Sequence, residues 1–412
     1  MQVSDFQPPM TQVSLAAPIG LMWNLSGAAA TVHGDWKYRS AFLKDKGSFD
    51  ATASGITVTV SVFVGAGRDG RPVIKTIGCS GQVDELHIRL QGDLGPLYNM
   101  LAEHVENSLK PKVHLGICRL ARYAIDVVAA RSLKLPVKVA LNAEKTWELY
   151  YGLDSAPTAA PGYLEFHHDV VLFEGSVPVE VPFQPSPPLP SPPATDHMMT
   201  VWVSDHMLNT ISYGLFRGQN MNYSLTADSL PQHQRSLLST SCGPLPRCIG
   251  AFVPAIGNAY PHAFVEVGLS LSAAPKVAVK PQQLTATCFG TVRLQARLSN
   301  GSLAHLFDVE VGLKIKAAAR MEGVVLKAKV ISAKKKLDVT YSSVGPVSTA
   351  VVRLIYDVAV KKFLIPALND VGEKGLPLLT ATEHDGFENT DIRLESGYAK
   401  VSADVAGLKF VQ

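Results

Sequence analysis

The sequence predicts an α+β protein made of two similar halves. Three observations carry this expectation: runs in which apolar and polar residues alternate, two amphipathic helical stretches that each follow a Gly-Pro pair, and a proline-rich segment near mid-chain. At 412 residues the chain is too long for one ordinary core, and domains of about 100–200 residues are the default. It is 47% hydrophobic and 18% charged, against about 25% charged in an average soluble domain. That excess of apolar surface suits a large core or an internal apolar cavity.

In the first half Ile56, Val58, Val60 and Val62 alternate with Thr57, Thr59 and Ser61, the period of two of a strand with one buried face. Further strands are expected over 36–43, 72–77, 85–90 and 163–172. One long helix interrupts them over 96–130, where Leu97, Met100, Leu101, Val105 and Leu109 recur at three-and-four spacing and Pro96 opens the first turn. Pro111 is expected to bend or divide it. Seven of the twelve residues 182–193 are proline, so this stretch is extended and semi-rigid. The second half repeats the scheme, with strands over 198–203, 263–271, 284–296, 309–319, 324–332 and 337–342. Setting Gly345-Pro346 over Gly95-Pro96 places Val347, Val351 and Ile355 on Leu97, Leu101 and Val105. The boundaries follow: 1–181, a proline-rich linker 182–197, and 198–412.

Charge is uneven. Residues 1–200 hold 16 Lys and Arg against 19 Asp and Glu, and residues 201–412 hold 22 against 16. The densest basic run, Lys334-Lys335-Lys336, reads as a solvated strand end, so no nucleic-acid partner is expected. No stretch approaches the roughly 18 apolar residues that span a bilayer. The first twenty residues lack a basic segment followed by an apolar one, so no signal peptide is expected in this chain. Asn24, Asn222 and Asn300 each open a glycosylation-type Asn-x-Ser triplet. Five cysteines permit up to two disulfides, and Cys242 and Cys248, around a Pro-Gly turn, are either a local pair or two thiols.

Catalytic chemistry finds no support. Gly65-Ala66-Gly67-Arg68-Asp69-Gly70 matches a dinucleotide fingerprint, but a strand rather than a helix follows it, so it reads as a hairpin loop. His167 and His168, as strand neighbours, point to opposite faces and could not share a metal ion with Asp169. Neither a nucleophile elbow, a His-Glu-x-x-His nor a Cys-x-x-Cys occurs. No enzyme activity, cofactor or metal is expected.

The runs Gly34-Asp35-Trp36-Lys37 through Phe42-Leu43-Lys44, Gly47-Ser48-Phe49-Asp50 and Ser54-Gly55-Ile56 resemble the start of the bactericidal/permeability-increasing and lipopolysaccharide-binding protein family. The likeness continues through Tyr151-Gly152-Leu153, the proline linker, Leu298–Leu303 with Leu306-Phe307, Val344-Gly345-Pro346 and Gly375–Leu378. It implies two tubular lipid-binding barrels, each a highly twisted antiparallel sheet plus a long helix, in a boomerang around a central sheet. It also implies a disulfide between Cys79 and Cys118, secretion, and binding of phospholipid or bacterial lipopolysaccharide in innate antibacterial defence, with peripheral contact at the bacterial outer membrane. Lipid transfer between particles is a second activity of the family.

On this resemblance Leu97, Met100, Leu101 and Val105 face one lipid pocket, and Val347, Val351, Leu354 and Ile355 face the other. Two departures qualify it. The strand and long amphipathic helix with which family members begin are not found ahead of the matching point, so the first barrel is expected to lack one wall. The family's lysine-rich tip loop is here Arg89-Leu90-Gln91-Gly92-Asp93, although Lys37, Arg39, Lys44, Lys46, Lys110 and Lys112 remain. The alternative is a structural or mucosal-coat protein with a vestigial lipid site.

Overall fold

A computed structural model describes residues 2–16, 20–39, 44–92, 95–129, 136–160, 162–185, 197–218, 221–243, 248–323, 325–377 and 387–405. The chain packs into two units, one comprising Met1–Val139 and Tyr150–Asp169, the other Ala140–Leu149 and Val170–Leu408. This division falls ahead of the proline-rich segment, most of which lies outside the described residues.

The first unit is an antiparallel sheet built on two very long strands, β3 (Gly20–Arg39) and β4 (Lys44–Ala66). Strands β1 (Gln2–Gln7) and β2 (Met10–Ala16) pair one after the other along β3, and Pro8-Pro9 separates them because proline cannot donate to the ladder. Along the other side β5 (Pro72–Gln82) and β6 (Glu85–Gln91) pair with successive stretches of β4. A strand of 20 residues spans about 65 Å, far beyond the usual length, and must coil. The bend is built in: the β3–β4 register shifts between Leu25 and Ala28 and again before Ala30. Gly27 and Gly55, at φ +76° and +60°, supply the left-handed residues those bulges need. The Gly65–Gly70 segment runs from the end of β4 into the hairpin loop between β4 and β5, closed by an Arg71–Asp69 contact of 2.6 Å.

Helix α1 (Gly95–Tyr123) crosses this sheet and continues as a π-turn, Ala124–Ala129. Pro111 lies inside it without dividing it, so of the bend or division expected the division does not occur; the anchors Lys110 and His114 on either side hold the helix to the sheet through the lost hydrogen bond. Short strands β7 (Lys138–Ala140), β8 (Trp147–Tyr150), β9 (Thr158–Ala160), β10 (Tyr163–Glu165), β11 (Val171–Glu174) and β12 (Val177–Val179) follow. The single strand expected over 163–172 is thus two, separated by the His167-His168-Asp169 loop.

The second unit opens with β13 (Met199–Ser204) and helix α2 (Asp205–Arg217), whose N-cap Ser204 accepts a hydrogen bond from the Met207 amide at 3.2 Å. Its principal sheet contains β14 (Asn222–Leu225), β15 (Phe264–Leu271), β16 (Lys276–Lys280), β17 (Gln283–Arg297), β18 (Leu303–Glu322), β19 (Val325–Ser342) and β20 (Leu376–Pro377). The order is β14-β15-β17-β18-β19-β20, with β16 also on β17. Expected strands 324–332 and 337–342 are one strand, since Ala333–Lys336 continues the ladder. Helices α3 (Thr349–Ala359) and α4 (Ile365–Lys374), joined by a π-turn at Val360–Leu364, lie on this sheet. A separate sheet orders β13, β22 (Tyr398–Val405) and β21 (Phe387–Leu394). The main core joins Ile249, Val253 and Ile256 to Val265, Leu294, Leu306, Phe307, Val309, Leu337 and Val352.

Candidate lipid site

In the first unit the helix is held to the sheet by a polar stripe at four-residue spacing. Glu106 accepts from the Ile88 amide at 2.7 Å, Lys110 donates to the Asp84 carbonyl at 2.6 Å, and His114 Nε2 accepts from the Val83 amide at 3.2 Å. Cys118, next in the series, is disulfide-bonded to Cys79 of β5. These groups satisfy backbone atoms where β5 passes into β6, which would otherwise be unpaired beneath the helix. Further on, Asp126 accepts from the Thr76 amide at 2.7 Å, beside the bulge in β5 opposite Ser61 and Val62.

With its polar side engaged along β5 and β6, the helix turns Ile117 and Ala121 onto Val58, Val60, Val62 and Ile125. Val105 and Leu109 are half-buried in the preceding turns. Leu97, Met100 and Leu101 lie on α1, but their side chains fall outside the described residues.

The second unit repeats this plan with different anchors. Lys335 pairs with Asp357 of α3, and Asn369 of α4 accepts from the Val330 amide at 2.8 Å, at the bulge between Lys316 and Ala317 on the partner strand. Gly372 lets α4 approach so closely that a Cβ there would lie 2.1 Å from the Ala328 carbonyl oxygen. Val347 and Val351 pack against the main core, Ile355 is half-buried, and Leu354 is 57% exposed. Beneath α3 the free thiol of Cys288 donates to the Leu313 carbonyl at 3.6 Å. Burial pushes the Cys288 thiol up and, with smaller contributions from Cys288 and Asp357, pushes Tyr356 up to about 12. Both side chains are half-buried between helix and sheet. By contrast, a recess of about 400 Å³ at α4 is lined by Arg320, Lys329, Asn369, Asp370 and Glu373 among others, a surface suited to water rather than an acyl chain.

Sequence models of the LBP / BPI / CETP family match this chain in two parts, the N-terminal domain over residues 1–128 and the C-terminal domain over residues 142–406. The chain belongs to the LBP / BPI / CETP family. Bactericidal permeability-increasing protein of Sebastes schlegelii is 25% identical over 98% of this chain and 84% of its own length. Human lipopolysaccharide-binding protein is 24% identical over 87% of this chain and 73% of its own. A crystal structure of lipopolysaccharide binding protein superposes with a TM-score of 0.58 at 21% identity, covering all of this chain and 87% of that one, and so shares the fold.

For this LBP / BPI / CETP family member the remaining candidates fall as follows. His167 contacts Glu165 at 3.3 Å and His168 contacts the Tyr151 carbonyl at 2.9 Å, so the two rings serve different partners. No metal-binding cluster occurs among the described residues, and no described helix is long and apolar enough to cross a membrane. Cys242 and Cys248 form the local disulfide. Asn24 sits within β3, paired on both sides, Asn222 opens the exposed strand β14, and Asn300 lies in the turn between β17 and β18, where it accepts from the Ser302 amide at 2.9 Å. Sequence reading missed the polar stripe of Glu106, Lys110 and His114. Its four-residue spacing was visible, but its backbone partners were not.

Proposed function

We propose that this chain is a non-enzymatic, secreted binder of phospholipid or bacterial lipopolysaccharide, acting in innate antibacterial defence. The observation that carries the reading is the repeated site plan: in each unit a helix, fastened by polar anchors, turns an apolar side toward a long bulged sheet. Such an interior stabilises an acyl chain by about 0.8 kcal/mol per buried methylene. In this reading Leu97, Met100, Leu101 and Val105 line the first pocket and Val347, Val351 and Ile355 the second, with Leu354 at its rim. The two domains are 1–181 and 198–412, and Asn24, Asn222 and Asn300 are its glycan acceptors.

A structural role with a vestigial site is the second reading, favoured by the packing of Val347 and Val351 directly onto the core. Native mass spectrometry of the secreted protein, with extraction of whatever co-purifies, separates the two. Bound phospholipid or lipopolysaccharide supports the binder, and a folded protein that stays empty when offered either lipid supports the structural role. A Leu101→Asp variant should lose lipid from the first unit alone.

A further inference from the structure

We infer that the face of the second unit's sheet opposite α3 is a docking surface for an anionic phospholipid bilayer. The register of four strands builds it. Lys276 of β16 lies opposite Thr287 of β17, Thr287 opposite Lys314 of β18, and Lys314 opposite Lys334 of β19. One residue pair along, Phe289, Gly312 and Lys336 form the next row on the same face; on the other side Lys316 and Ser332 continue it, and buried Thr285 closes that end. Neighbouring strands lie about 4.8 Å apart, so two lysines in one row, Lys314 and Lys334, stand directly side by side. Like charges in that position are destabilising without a counter-charge.

Among the described residues no carboxylate comes within ion-pair distance of these lysines. Among the described residues the lysines of this unit in ion pairs are Lys327, Lys335 and Lys374, and the five on this face are not among them. Lys335 points the other way, to Asp357 beneath the helix, which shows that the Lys334-Lys335-Lys336 run is split between two faces. On the same face Glu310 and Asp338 oppose one another in the row beyond Phe289 and Lys336 and bound the patch at that end.

At the centre Phe289 is 53% exposed. Its ring lies where a Cβ on Gly312 would approach it to 3.2 Å, with the Lys336 Cβ beside the same glycine, so the ring rests over the glycine next to the Lys336 stem. An exposed aromatic ring beside a row of lysines matches a bilayer interface, where the ring enters the headgroup layer and the ammonium groups meet phosphate. The same array without the ring would suit a sulfated polysaccharide equally well, and Phe289 decides between them. This surface is separate from the proposed interior pockets and stands whether or not they hold lipid.

The test is flotation of the full chain with phosphatidylcholine vesicles, alone or mixed with phosphatidylglycerol, using wild type, the triple variant K314Q/K334Q/K336Q and F289W. Binding is expected only to the mixed vesicles, weakened by salt, about a hundredfold lower in the triple variant, and accompanied by a blue shift of the F289W emission. Lipid extracted from inside the purified triple variant should equal wild type. The inference is overturned if wild type ignores mixed vesicles, if the folded triple variant binds them undiminished, or if these lysines capture a sulfated polysaccharide while vesicles are left free.

Discussion

Asp308 illustrates how one residue can organise a strand. Burial raises its pKa, but hydrogen bonds from Arg293 and His305 and the charges of both outweigh that, and the carboxyl is held below its usual range. A depressed folded value gives stability that is complete above the unfolded-chain value of about 3.9 and is lost as pH falls through the folded value. Urea unfolding of the wild type and Asp308→Asn from about pH 5 to 2 should therefore show a shallower acid-side loss in the variant. Just before Asp308, Leu306 and Phe307 are both buried although they are sequence neighbours. The register shift between Leu294 and Gln295 allows this, because Phe307 opposes Leu294, His305 opposes Gln295, and Leu306 is the extra residue. Leu306→Ala should cost about 2–5 kcal/mol by chemical denaturation. Strand alternation alone would have put one of the pair in solvent, so this double burial was not legible in the sequence.

At the scale of elements, α1 was legible as a helix from its three-and-four apolar spacing, whereas its continuity through Pro111 was not. An interior proline costs about 3 kcal/mol, and exposed Pro111 leaves the Asn107 carbonyl without its helical donor. Pro111→Ala should raise the stability of the first unit by up to about 3 kcal/mol, read as a higher urea midpoint. The anchoring of α4 makes the opposite case, since any Cβ at Gly372 meets the Ala328 carbonyl. Gly372→Val should lower the melting temperature of the second unit, despite valine's absence of charge and the better helix propensity it brings relative to glycine. The first strands escaped notice because β1 and most of β2 are exposed throughout and so lack the alternation that marks a half-buried strand.

For the whole molecule, two units with separate cores predict two unfolding transitions. The Cys79–Cys118 bond spans a sequence separation of 39 and by the chain-entropy model contributes about 4 kcal/mol. A Cys79→Ala/Cys118→Ala variant should lower one calorimetric transition and leave the other in place; a shift of both would mean that the units unfold as one. The uneven charge also changes meaning at this scale. A modest excess of lysine in the second half, unremarkable as a count, becomes a patch because four strands bring Lys276, Lys314, Lys334 and Lys336 to one face.

The sequence by itself determined the fold class, the repeated strand-and-helix plan and the family, because periodicity and residue order are local properties that survive without coordinates. Only the tertiary structure decided which lysines share a face, which backbone amides Glu106, His114, Asp126 and Asn369 satisfy, and where bulges place two neighbours inside. Those depend on strand register, and a single extra residue in one strand changes every pairing beyond it.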